Sequence, residues 1–156
     1  MIEKDKPFYL FPSALYVSEK PMLITTVLGS CVAVCLWDPN TEIGGMNHFM
    51  LPFWNGKGLA SPKYGNIAID TLINKMVETG VSKANIVAKI FGGGAVLNDS
   101  SVLNIGARNI RVAQKVLKEN NINILSYSVG GNLGRKIIFN TKTGEIRHRF
   151  IKKTRT

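Results

Sequence analysis

Two apolar, β-rich runs, Ser30 to Trp37 and Ile43 to Leu51, flank the tetrad Asp38-Pro39-Asn40-Thr41, and no other stretch restricts the fold as tightly. Proline presets φ and asparagine tolerates turn conformations, so the tetrad predicts a loop and the runs an antiparallel hairpin. With Asp38 to Thr41 as the loop, Trp37 faces Glu42, Cys35 faces Gly44, Ala33 faces Met46 and Cys31 faces His48. Directly opposed residues share a face, with Cβ atoms about 4.5 to 5.5 Å apart. The hairpin therefore predicts a thiol and an imidazole within reach of each other, on the condition that no bulge shifts the register.

The strand period removes other pairings. Cys31 and Cys35 share a face but stand about 13 Å apart along an extended chain, too far for a disulfide. The second histidine, His148, lies far along the chain beside a basic tail. A zinc site thus lacks a ligand set, and neither metal nor cofactor is expected. Cys35, between Val34 and Leu36, reads as a buried small hydrophobe. Free cysteines are usually buried and inert, and that reading extends to Cys31. Against it, Gly29-Ser30 delivers Cys31 at a loop-to-strand junction, where backbone N–H groups can face a substrate. His48 can supply the base that a thiol of pKa about 8.5 needs near neutrality.

With 156 residues and 45% apolar content, the chain is one domain's worth, 1–156, with residues 1–7 and 152–156 expected to fray. It has no apolar run of about 18 residues to span a bilayer, and its start lacks the order of a signal peptide, so no membrane insertion and a cytoplasmic location are expected. Two cysteines make no disulfide framework. The net charge of +10 is uneven: residues 1–107 carry eight Lys/Arg against eight Asp/Glu, and residues 108–156 carry twelve against two. Such asymmetry suits an acidic partner or simply a solvated face.

Phe8 to Val17 reads as an edge strand or extended arm around one proline, and Met22 to Leu28 as a strand. Ser61-Pro62 offers an N-cap and first-turn proline for a helix running to about Gly80, with Ile69, Leu72, Ile73, Met76 and Val77 inward. Asn85 to Phe91 is a strand. A second helix starts within Asn104 to Asn109 and runs to about Glu119, with Arg108, Arg111, Lys115 and Lys118 on its outer side. Ile122 to Val129, Arg135 to Asn140 and Ile146 to Ile151 close the fold. About eight strands and two main helices, with several strands adjacent in sequence, predict an α+β sandwich of mixed or antiparallel sheets rather than a doubly wound one. Gly92-Gly93-Gly94 and Gly130-Gly131 match no phosphate-loop motif and read as tight turns.

Five ordered segments, Leu28-Gly29-Ser30-Cys31-Val32-Ala33-Val34, Gly45-Met46-Asn47-His48-Phe49-Met50-Leu51-Pro52, Lys89-Ile90-Phe91-Gly92-Gly93, Asn104-Ile105-Gly106-Ala107-Arg108-Asn109 and Gly130-Gly131-Asn132, resemble the CheD family of chemoreceptor glutamine deamidases. The resemblance covers roughly residues 10 to 150. It implies Cys31 as nucleophile, His48 as general base and then acid, and Thr25, six positions before the nucleophile, as the residue orienting His48. Thr26 is adjacent, and strand alternation puts the two on opposite faces, so only one can serve. The implied reaction converts a glutamine side chain on the cytoplasmic helical region of a chemotaxis receptor to glutamate through a thioester, without cofactor. Hydrolysis of glutamyl methyl esters by the same machinery and a CheC-type phosphatase as second partner are also implied.

Two other classes fit parts of the sequence. A basic nucleic-acid-binding module would use the charge of the last third, but no docking motif or aromatic series accompanies those residues, so no nucleic acid is expected. A non-catalytic chemotaxis adaptor would keep only the partner-binding surface.

Overall fold

The computed structural model describes residues 6–95 and 104–152. Along them run β1 (Phe8–Tyr9), β2 (Leu15–Ser18), β3 (Leu23–Leu28), β4 (Val32–Asp38), β5 (Ile43–Asn47), α1 (Gly65–Glu78), β6 (Val87–Gly92), α2 (Ile105–Glu119), β7 (Asn123–Val129), β8 (Gly134–Asn140) and β9 (Ile146–Ile151). Two sheets form, a four-stranded one in the order β1-β3-β8-β9 and a five-stranded one in the order β2-β5-β4-β6-β7. Both are mixed, because β1 runs parallel to β3 and β6 parallel to β7. The α+β sandwich of mixed sheets with two main helices is as expected.

β4 explains the layering. It is central in its sheet and buried on both faces, which is why it reads as an unbroken apolar run rather than an alternating one. Val32, Val34 and Leu36 pack with Ile69, Leu72 and Leu117 of the two helices, whereas Ala33 and Cys35 pack with Ile24, Leu28, Ile137 and Phe139 of the other sheet. The order of layers is therefore helices, five-stranded sheet, four-stranded sheet, with two apolar cores.

Three expectations need correction. Phe8 to Val17 is not one strand but two, in different sheets, because the chain turns at Pro12-Ser13: Ala14 N–H donates to the Phe11 carbonyl at 3.1 Å and Ser13 has φ of 71°. α1 begins at Gly65, not at Ser61-Pro62. The Ser61 carbonyl instead accepts from Tyr64 in a turn, and Gly65 N–H bonds to Leu51, placing Gly65 where a Cβ would press on the Phe49 ring. Val77 is exposed, since the inward face of α1 ends with Met76. α2 starts where expected, capped by the Asn104 carboxamide oxygen, which accepts from Ala107 N–H at 3.1 Å. The expected fraying concerns residues mostly outside the described ones; Lys6 and Lys152 are exposed.

Candidate active site

The β4–β5 pairing differs from expectation by two residues. Cys35 opposes Met46, Leu36 opposes Gly45, Trp37 opposes Gly44 and Asp38 opposes Ile43, so the loop is Pro39 to Glu42. Asp38 causes this. It ends the strand, and its carboxylate accepts from Asn40 N–H at 2.9 Å and Thr41 Oγ1 at 2.7 Å, while Glu42 closes the loop in the left-handed region with φ of 58°. The same register continues to a bridge between Val32 and Phe49. His48 is therefore opposite Ala33, and Met50 is opposite Cys31. Thiol and imidazole still share the face toward the four-stranded sheet, as diagonal rather than direct neighbours, a relation that long or aromatic side chains can span.

Between these pairs the ladder is modified. Val34 N–H donates to the side-chain oxygen of Asn47 at 2.8 Å, while His48 turns its backbone to the segment before β2, accepting from Ser13 and donating to Ala14. His48 is thereby held on both sides and is only 2% exposed.

Thr26, fully buried, projects from β3 into the same inter-sheet layer. Its hydroxyl donates to the Leu10 carbonyl at 2.7 Å and lies 2.7 Å from His48 Nδ1. A carbonyl can only accept, and a hydroxyl has one proton. The Thr26 oxygen must therefore accept at the ring, so Nδ1 carries the imidazole proton and Nε2 keeps its lone pair. Thr25 does not take part: it lies on the other face of β3, and its hydroxyl donates to the Ile137 carbonyl at 2.8 Å. Thr26, not Thr25, is therefore the threonine hydrogen-bonded to His48.

Burial sets the charge state of both groups. It pushes the half-buried Cys31 thiol up, partly opposed by the residue's own backbone N–H, and lowers the His48 imidazole from 6.5 to about 4, partly opposed by the Leu10 carbonyl. The resting pair is a thiol and a neutral imidazole, not a thiolate and an imidazolium.

The surrounding backbone is fixed from several directions. Gly93 N–H donates to the Cys31 carbonyl and Gly94 N–H to Gly29, both at 2.9 Å. Gly92, with φ of 107°, adopts a conformation that other residues rarely reach, and a Cβ there would collide with the Cys31 carbonyl. Arg135, 3% exposed, donates to Gly92, Gly130 and Ser128 and so ties β8 to the ends of β6 and β7. The Asn109 carboxamide nitrogen donates to the Ser30 carbonyl at 3.0 Å and the Met50 carbonyl at 3.1 Å.

Residues 50–150 match the family model described as CheD chemotactic sensory transduction. The chain belongs to the CheD family. A relative from Trichlorobacter lovleyi, named "Probable chemoreceptor glutamine deamidase CheD", is 51% identical over 151 residues, covering 94% of each chain. One of the same name from Sulfurimonas denitrificans is 45% identical over 148 residues, covering 94% of this chain and 95% of the relative. Among solved structures, the Bacillus licheniformis hypothetical protein YfiH aligns with a TM-score of 0.50 at 17% identity, over 73% of this chain and 49% of its own length. That likeness is one of fold.

In this CheD-family chain Thr26 is hydrogen-bonded to His48, and Cys31 lies on the same face as His48, as its diagonal neighbour. Cys35 is buried, and its thiol pKa is raised by desolvation. His148 belongs elsewhere, with Nε2 3.3 Å from Ser128 and its ring edge-on to Phe150. No helix among the described residues is long and apolar enough to cross a membrane. Sequence reasoning missed Thr26 as the partner of His48, Arg135 and Asn109. The faces of β3 could be separated by alternation, but only the tertiary fold shows which one meets His48.

Proposed function

We propose that this protein hydrolyses the side-chain amide of glutamines on the cytoplasmic helical region of chemotaxis receptors, with Cys31 as nucleophile and His48 as general base and acid. The single observation that carries the reading is the Leu10–Thr26–His48 chain, which leaves His48 neutral with its lone pair at Nε2. This is the form a base needs to take the proton of a thiol whose own pKa is raised. The names borne by relatives along nearly the whole chain supply the substrate class.

The chemistry then follows acyl transfer. As Cys31 sulfur attacks the amide carbon, Nε2 takes the thiol proton and the carbonyl becomes an oxyanion beside the backbone N–H groups near Ser30 and Cys31. The imidazolium so formed is disfavoured by its burial and returns its proton to the departing ammonia. Water activated by the neutral ring hydrolyses the thioester, leaving glutamate and free thiol. Glutamyl methyl esters are substrates of the same sequence of steps, with methanol as leaving group. Cytoplasmic location follows from the substrate, and a CheC-type phosphatase is a second partner.

The exposed Arg111, Lys115 and Lys118 of α2, with Arg108 half-buried, form a basic strip that steers docking to an acidic helical surface. The test of the whole reading is mass spectrometry of receptor glutamines after incubation with wild-type protein and its Cys31 and His48 variants.

A further inference from the structure

We propose that Asn109 is a positioning residue that sets the spacing between the strand end carrying Cys31 and the strand end carrying His48. The inference rests on the Cys31/His48 reading above. Val32 and Phe49 exchange backbone hydrogen bonds at 3.1 and 3.0 Å, and they are the last pair to do so. Were the ladder to continue, the next bonded pair would be Ser30 and Leu51, with Ser30 carbonyl accepting from Leu51 N–H. It does not continue, because Leu51 N–H turns away to the Lys63 carbonyl at 3.0 Å, as Met50 N–H does at 2.9 Å. The two chains part at the level of Cys31.

Asn109 fills the place of the missing donor. Its NH2 group holds Ser30, the residue before Cys31, and Met50, the residue opposite Cys31 and two beyond His48. Both partners are carbonyls, so the amide cannot be turned over. Its Oδ1 is buried and without a partner among the described residues, and the residue is 0% exposed. What the carboxamide contributes here is therefore its two N–H bonds. The helix that carries it is itself seated on the turn after β6 whose Gly93 N–H holds the Cys31 carbonyl, since a Cβ at Gly106 would collide with the Gly93 carbonyl. Asn109 thus fixes how far the sulfur stands from the imidazole, without reaching the substrate itself.

The test compares full-length wild type, Asn109→Leu, Asn109→Ser, His48→Ala and, as a control for loosened packing of α2, Leu117→Ala. Deamidation kinetics and the rate of Cys31 alkylation by iodoacetamide across pH are both read, the latter needing no receptor. A misplacement of about 1 Å costs about 100-fold, so Asn109→Leu is expected to lower kcat by about that factor with KM within about threefold. Its Cys31 alkylation should fall to the rate and pH profile of His48→Ala. Asn109→Ser, whose hydroxyl can donate to one carbonyl, should recover part of both, and it decides alone if Asn109→Leu does not fold. Leu117→Ala should keep the wild-type pH profile. The proposal is overturned if the Asn109 variants keep wild-type kcat and alkylation, or if Leu117→Ala loses as much. Should His48→Ala alkylate as fast as wild type, the Cys31/His48 reading itself fails and this inference with it.

Discussion

Thr26 Oγ1 lies 2.7 Å from His48 Nδ1 and 2.7 Å from the Leu10 carbonyl, so a single hydroxyl fixes both the orientation and the tautomer of the imidazole. Replacing it by the near-isosteric valine removes the hydroxyl that bridges Nδ1 and the Leu10 carbonyl and loosens the hold on the ring. Loss of the partner that orients a metal-bound histidine costs about 10- to 100-fold in activity, and a base oriented in the same way is expected to lose a similar factor. Steady-state kinetics of Thr26→Val should show that fall in kcat. Thr25→Val, which removes only the bond to Ile137, should keep kcat and lose about 1 kcal/mol of stability. The reverse outcome would return the orienting role to Thr25.

The pH dependence follows from burial. Because His48 titrates at about 4 rather than 6.5, it remains a base well into mild acid. The acid limb of kcat/KM should therefore lie near 4, measured with a receptor fragment that stays folded in that range. A limb centred near 6.5 would show a solvated imidazole.

The same shift makes a stability prediction with a definite sign. Protonation of His48 is resisted only in the folded state, so its effect is absent above 6.5, and stability is lost as pH falls from 6.5 to about 4. Each pH unit of that gap is worth about 1.4 kcal/mol, or roughly 3 kcal/mol in all. Urea unfolding of wild type at the two ends of this window should show a loss larger by that amount than the loss in His48→Gln. Equal losses would contradict the burial of the ring.

Asp38 ends β4 and accepts from Asn40 and Thr41. Asp38→Ala should lower stability by about 1 to 3 kcal/mol, read from thermal or urea unfolding. Glu42→Gly should be neutral or stabilising by up to about 1 kcal/mol, because glycine relieves the left-handed backbone there. A destabilised Glu42→Gly would mean that the side chain, not the turn, is what the position requires.

The basic strip of α2 predicts a salt effect. Reversing Arg111 and Lys115 to Glu should lower the deamidation rate at low ionic strength and flatten its dependence on salt. Unchanged kinetics would leave these residues as a solvated face.

Much of this was legible in the residues themselves. The period of α2, its Asn104 start, and the hairpin bearing Cys31 and His48 follow from local pattern, because local chemistry decides them. The register did not, since whether Asp38 belongs to the strand or the loop depends on what its carboxylate accepts. The choice between Thr25 and Thr26 depends on which face of β3 meets the other sheet. That is set by β8, where Thr26 pairs with Ile137. Asn109 was invisible for the same reason, since its partners Ser30 and Met50 are 79 and 59 positions away. Phe8 to Val17 looked continuous because a single proline does not announce that the next residue will take a left-handed turn into a different sheet.

The most direct test of the central claim is to incubate a chemoreceptor cytoplasmic fragment with wild-type, Cys31→Ala and His48→Ala proteins and read its glutamines by mass spectrometry. Wild type should convert specific glutamines to glutamate and accumulate a thioester-linked species on Cys31 when quenched in acid, and neither variant should do so. Conversion by Cys31→Ala at the wild-type rate, or no conversion by wild type, would contradict the account.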